Sequence, residues 1–240
     1  MLGRLLTIAL VLLGLTAATL AGGYFALRRA DIPYETLAAR YETPTSRYVD
    51  LPSGVRMHYY EQGRADGPTL LLLHGFSASS HTWTAWSEHL GDDYRIVALD
   101  LPGHGLTQAP EGYQASIEAF RDVAAEFTRA LGLTRFSLIG SSMGGNVAWE
   151  YALAHPEQVD ALVLVAASGW PDDAGASEPA VFRLLRHPLA GPLLRDMENS
   201  ALIREGLRSS FEDQSLVTPS MVTRYAELSR APGHRDILLQ

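Results

Sequence analysis

A chain of 240 residues, 47% hydrophobic and 19% charged, can bury one large core with room for an inserted segment. A formal net charge of −8, with no cluster of Lys and Arg, argues against nucleic acid as a partner. The absence of cysteine excludes disulfides, thiolate metal sites and a thiol nucleophile.

The first element is apolar. Leu5 to Leu27 carries no charge and lies between Arg4 and the pair Arg28-Arg29. At about 1.5 Å per residue it can cross a hydrocarbon layer of about 30 Å. A cleaved signal peptide is the rival reading. The anchor is preferred because the apolar run continues through Tyr24-Phe25-Ala26-Leu27, beyond an ordinary signal-peptide core. Residues 1–29 are therefore expected to be a single-pass membrane anchor. Charges balance across it, so its orientation is open, with an extracytoplasmic domain as one arrangement. Residues 30–46 read as a polar linker.

A β-hairpin is predicted from Tyr48-Val49-Asp50-Leu51 and Val55 to Tyr60, around Pro52-Ser53-Gly54. Thr69 to Leu73 is a continuous apolar strand, as expected where helices cover both faces of a sheet. His74-Gly75-Phe76-Ser77 follows it. Trp83 to Leu90 reads as a helix and Tyr94 to Leu99 as a strand, which Asp100-Leu101-Pro102-Gly103-His104-Gly105 closes. Ser116 caps a helix with apolar residues at Ile117, Phe120, Ala124, Phe127 and Leu131.

The next segment organises the rest. The strand Phe136 to Ile139 stops at Gly140-Ser141-Ser142-Met143-Gly144, and a helical pattern leaves from Asn146. This is G-x-S-x-G between a strand and a helix, the context of a nucleophile elbow. Turning the chain so sharply strains the central residue and brings its neighbours too close for side chains, hence the glycines. Ser142 then sits at a helix N-terminus, where free N–H groups favour developing negative charge. Ala161 to Ala166 is a further buried strand. Strand and helix alternate, which implies an α/β fold with a mostly parallel sheet flanked by helices.

His74-Gly75-Phe76, Asp100 to Gly105 and Gly140 to Gly144 resemble, in order and spacing, the α/β-hydrolase superfamily. The stretch from Gly140 through Trp170-Pro171 looks most like membrane-anchored, monoacylglycerol-lipase-like serine esterases. The resemblance implies Ser142 as the nucleophile that forms an acyl-enzyme. It implies the backbone N–H groups of Phe76 and Met143 as the oxyanion hole. His74, Asp100 and His104 take structural roles on the same grounds. Residues 47–170 would be the hydrolase core, and 171–240 a helical cap with segments at 182–185, 193–207 and 217–228. No cofactor and no metal are implied, and the expected partners are a small ester or lipid and the membrane. Haloalkane dehalogenases and epoxide hydrolases of this superfamily use a carboxylate nucleophile, which Ser142 disfavours.

The pattern then departs from the family. Its triad runs Ser, then Asp or Glu, then His, the last two following strands beyond the cap. This sequence ends at Asp236-Ile237-Leu238-Leu239-Gln240 without such strands, as a C-terminally truncated hydrolase would. The usual acid and base positions are absent. Asp172 and Asp173 are the substitute acids, and His187 and His234 the substitute bases, with surface histidines as the bland reading of the latter two. A catalytically incomplete or non-catalytic hydrolase-fold protein is the alternative function. The strand Ala161 to Ala166 is expected to be an exposed, apolar sheet edge.

Overall fold

The computed structural model describes residues 2–170, 183–184, 187–188 and 190–240. Helix α1 spans Leu2–Leu27. Within it Leu6–Leu27 has a mean hydropathy of 2.0, none of it buried, and is long and apolar enough to cross a membrane.

Residues 30–46 do not behave as a free linker. Tyr34–Tyr41 forms helix α2, and Leu37 on it is fully buried beside Ile32, Leu106, Leu228 and Ala231. Its partners Leu106, Leu228 and Ala231 lie far along the chain, so no local pattern reveals the packing.

Six strands form one sheet among the described residues, in the order β1-β2-β4-β3-β5-β6. Strands β1 (Ser46–Asp50) and β2 (Arg56–Gly63) make the expected antiparallel hairpin. The parallel part is β3 (Thr69–Leu73), β4 (Arg95–Leu99), β5 (Phe136–Ser141) and β6 (Val159–Val165). Side chains alternate across it. Leu71, Leu73, Val97, Leu99 and Leu138 enter one core, while Leu70, Leu72, Ile96, Ala98 and Ile139 enter the other. Because both faces are covered, these strands are apolar at every position rather than at every second one.

Helix α3 is Thr84–Leu90, and the 3-10 turn Ser80–Trp83 ahead of it buries Trp83. Helix α4, Ile117–Ala130, places Phe120, Val123, Ala124 and Phe127 on the larger core. Ser116 caps it, its hydroxyl accepting from Ala119 N–H at 3.0 Å. Helix α5, Met143–Ala154, packs Val147, Ala148 and Tyr151 into the same core. The outer strand β6 leaves Leu162, Val163 and Leu164 exposed.

The cap region is more broken than the sequence pattern suggested. Instead of one helix over 193–207 there are α6 (Gly191–Leu194) and α7 (Ser200–Ser210). Helix α8 (Pro219–Leu228) begins at its proline, capped by Thr218, and α9 (His234–Leu238) follows the left-handed Gly233. The expected helix at 182–185 falls mostly outside the described residues.

Candidate active site

Ser142 occupies the turn between β5 and α5 with φ +52° and ψ −119°. A non-glycine residue there costs about 1–3 kcal/mol and persists only when its surroundings hold it. They do. Ser142 N–H donates to Val165 O at 3.0 Å, and Ser142 O accepts from Gly145 N–H at 2.9 Å and Ser168 N–H at 3.1 Å. The neighbouring glycines have no room for a side chain. A Cβ at Gly144 would overlap the carbonyl oxygens of His74 and Leu73, and one at Gly145 would lie 2.6 Å from Ala167 Cβ.

The loop after β3 lies against the serine. A Cβ built on Gly75 would sit 3.2 Å from Ser142 Cβ and 3.8 Å from Ser142 Oγ. His74 holds this loop: its Nδ1–H donates to Gly75 O at 2.8 Å, and its Nε2 accepts Leu101 N–H at 3.0 Å. Both ring nitrogens are therefore committed to backbone, and burial holds its pKa below the ordinary imidazole value.

Asp100 is the electrostatic centre of the adjoining loop. Its Oδ1 accepts Ser80 N–H at 2.6 Å, and its Oδ2 accepts Leu106 N–H at 2.8 Å and His58 Nδ1–H at 2.7 Å. Burial pushes its pKa up, but His58 and the other donors outweigh that and hold it well below the carboxylate range. His58 Nε2 in turn meets Ser46 Oγ at 2.9 Å. This chain of three side chains escaped the sequence reading, since its members lie 12 and 42 residues apart with no spacing signature.

An apolar cavity of about 360 Å³ adjoins the elbow, walled by Phe76, Met143, His104, Phe120, Ile237 and Leu238. The structure thus brings Phe76 and Met143 to one cavity. His104 donates from Nδ1–H to Pro102 O at 3.0 Å; burial, with His74 nearby, pushes its pKa down to about 3. Ile237 fits into the space above Gly103, where a Cβ would come within 2.7 Å of Ile237 Cβ. The contribution of α9 to the cavity was not legible in the sequence, where Ile237-Leu238-Leu239 is a short apolar run with no pattern tying it to the elbow.

The substitute acids and bases fare differently. Asp172 and Asp173 lie outside the described residues. His187 is exposed, its Nδ1 accepting from Ala190 N–H at 3.3 Å. His234 is buried rather than on the surface. Its Nδ1–H donates to Leu228 O at 2.9 Å, and Tyr34 O–H lies 3.0 Å from its Nε2, in hydrogen-bonding position. It ties α2, α8 and α9 together, and burial lowers its pKa. Among the described residues no side-chain hydrogen bond joins Ser142 to a histidine or a carboxylate, and no group of acids and histidines could hold a metal ion.

Known proteins with the same architecture place the chain. Residues 68–236 match the model of the alpha/beta hydrolase fold family. Epoxide hydrolase 3 of Xenopus tropicalis is 34% identical over 141 residues, covering 57% of this chain and 35% of that protein. The chain spans about a third of the length of the epoxide hydrolases it matches. Among solved structures, Cfl2 of Burkholderia cenocepacia superposes with a TM-score of 0.72 at 26% identity, covering 82% of this chain and 71% of that one. A bacterial membrane phospholipase A superposes with a TM-score of 0.64 at 28% identity, covering 98% of this chain and 73% of that one. With its strand order, elbow and matched residues in agreement, the chain belongs to the alpha/beta hydrolase fold family.

Proposed function

We propose that this protein is a serine hydrolase of carboxylic esters, acting through an acyl-enzyme on Ser142. The observation that carries the reading is the positive φ of Ser142 at the head of α5, pressed against Gly75. Attack of its Oγ on an ester carbonyl would place the new oxyanion near the N–H groups of Met143 and Phe76. Such donors are typically worth about 3–4 kcal/mol of barrier each. The apolar cavity favours a lipid-like acyl or alcohol chain. The 22-residue apolar stretch of α1 and the likeness to a membrane phospholipase A favour a membrane-anchored enzyme. Carboxylate-nucleophile chemistry, which the epoxide hydrolases of this superfamily use, lacks its acid at the elbow.

A second reading has its own support. Both ring nitrogens of His234 are engaged away from the elbow, and no base is paired with Ser142 among the described residues. A serine hydroxyl without a base is a weak nucleophile. That favours a hydrolase-fold chain that is catalytically incomplete. Labelling with a fluorophosphonate probe, alongside p-nitrophenyl butyrate turnover, separates the two. Labelling and turnover that Ser142→Ala abolishes establish the serine hydrolase, with His187 and His234 the next residues to substitute. Folded protein that neither labels nor turns over establishes the incomplete one.

A further inference from the structure

The chain leaves α1 and enters the cap at once. Arg29 N–H donates to Asp196 O at 2.7 Å, and Glu198 N–H donates to Leu27 O at 2.9 Å. Between them Arg28 and Met197 form an antiparallel bridge. Side chains repeat the link, with Arg29 on Glu198 at 2.8 Å and Arg28 near Asp196 at 3.5 Å. Arg235 of α9 adds a third tie, to Asp31 at 2.6 Å and to Arg29 O at 2.9 Å. The end of the apolar helix is thus built into the cap, not joined to it by a loose segment.

This connection limits how far the cap can stand from a membrane. Helix α7 begins at Ser200, two residues beyond Glu198. With roughly 3.6 Å per extended residue and about 5.5 Å between Cα atoms two apart in a helix, Leu202 lies within roughly 19 Å of the end of α1. The headgroup layer of one leaflet is about 5–8 Å deep, so a leucine side chain there can reach it. Leu202 is 62% exposed, whereas Leu207 of the same helix is buried against the domain. Gly206 and Ser209 flank it on the exposed side with Glu205, while the exposed Arg204 and Arg208 lie farther round the helix. The Arg28 side chain, one residue beyond the end of α1, is 51% exposed.

We propose that this face of α7 seats on the bilayer that α1 spans, with Leu202 entering the headgroup–acyl boundary and Arg28 meeting lipid phosphates. An apolar side chain at that depth and a cation beside it are the usual components of interfacial attachment. The inference rests on the reading of α1 as a membrane anchor and is independent of the serine chemistry.

The chain has no cysteine, so a single introduced thiol can be labelled uniquely. Leu202→Cys, and as a control Asp66→Cys in the loop before β3, would each carry an environment-sensitive fluorophore on the full chain in phosphatidylcholine vesicles. Phosphatidylcholine brominated near the headgroup end of its acyl chains is the quencher. The expected result is quenching at position 202 at least roughly twofold stronger than at position 66. Equal, weak quenching at both positions in protein that floats with the vesicles overturns the seating and leaves the anchor standing. Protein that fails to float overturns both. Fluorophosphonate labelling of the same vesicles reports on Ser142 separately, so loss of the hydrolase reading is distinguishable from loss of the seating.

Discussion

Asp100 Oδ2 lies 2.7 Å from His58 Nδ1, with both side chains about 1% exposed, and the same carboxylate receives the backbone N–H groups of Ser80 and Leu106. One buried anion therefore joins β2, β4 and the two loops beside the elbow. Asp100→Asn keeps the shape but removes the charge and turns a donor toward other donors. It is expected to cost about 3–5 kcal/mol, as breaking a buried pair does. Urea unfolding of the variant against wild type measures it.

The buried histidines set an acid limit. His104 is held neutral by burial, its pKa pushed down to about 3 from the ordinary 6.5, and His74 is lowered for the same reason. The unfolded chain binds protons that the folded chain does not, so stability rises with pH across this interval. The contribution is complete above about pH 6.5 and is lost progressively as pH falls toward 3. Asp100 works in the same direction at lower pH: its depressed pKa gives stability above the ordinary carboxylate value, lost as pH falls through the folded one. Midpoints of urea unfolding should be level from pH 7.5 to about 6.5 and fall from there to pH 4, with a slope approaching that of the three buried histidines His74, His104 and His234 together. A flat profile would contradict the assignment of His74 and His104 as neutral.

The elbow makes two opposite predictions at positions 142 and 144. Ser142→Gly removes the steric penalty of φ +52° and is expected to stabilise the fold by about 1 kcal/mol while abolishing covalent labelling. A thermal midpoint that drops instead would show that the serine side chain contributes packing not evident from its exposure.

Gly144→Ala acts in reverse. Its new methyl meets backbone oxygens of β3 and the following loop, which cannot rotate aside. A loss of about 2–4 kcal/mol is expected, at or above the upper end for overpacking. Chemical unfolding reads it, and Gly206→Ala, at a helical site with open space around it, is the contrasting change, expected to stabilise by about 0.5–1 kcal/mol.

Much of this architecture was legible because its signals are local. Continuous apolar runs announced β3, β4 and β5, the spacing from Ile117 to Phe127 announced α4, and Ser116 announced its start. G-x-S-x-G could be placed because a strand and a helix flanked it. What stayed hidden depends on contacts between distant segments. Leu37 in α2 is one apolar side chain in a polar stretch, and only its packing beside Leu228 and Ala231 reveals it as core. His234 reads as a surface residue until Tyr34 and Leu228 O close around it. The break at residues 195–199 carries no proline to announce it, and the attachment of that segment to the end of α1 depends on pairing across about 170 residues, which carries no local pattern.

Gly103 bears on the cavity only through Ile237, which lines it. Ile237 occupies the hollow left by the missing side chain, and the glycine's φ of +79° would strain any side chain placed there. Any larger residue at 103 would evict Ile237, and with it the stretch of α9 that closes the cavity. The volume of the cavity is therefore set in part by a residue that does not itself line it.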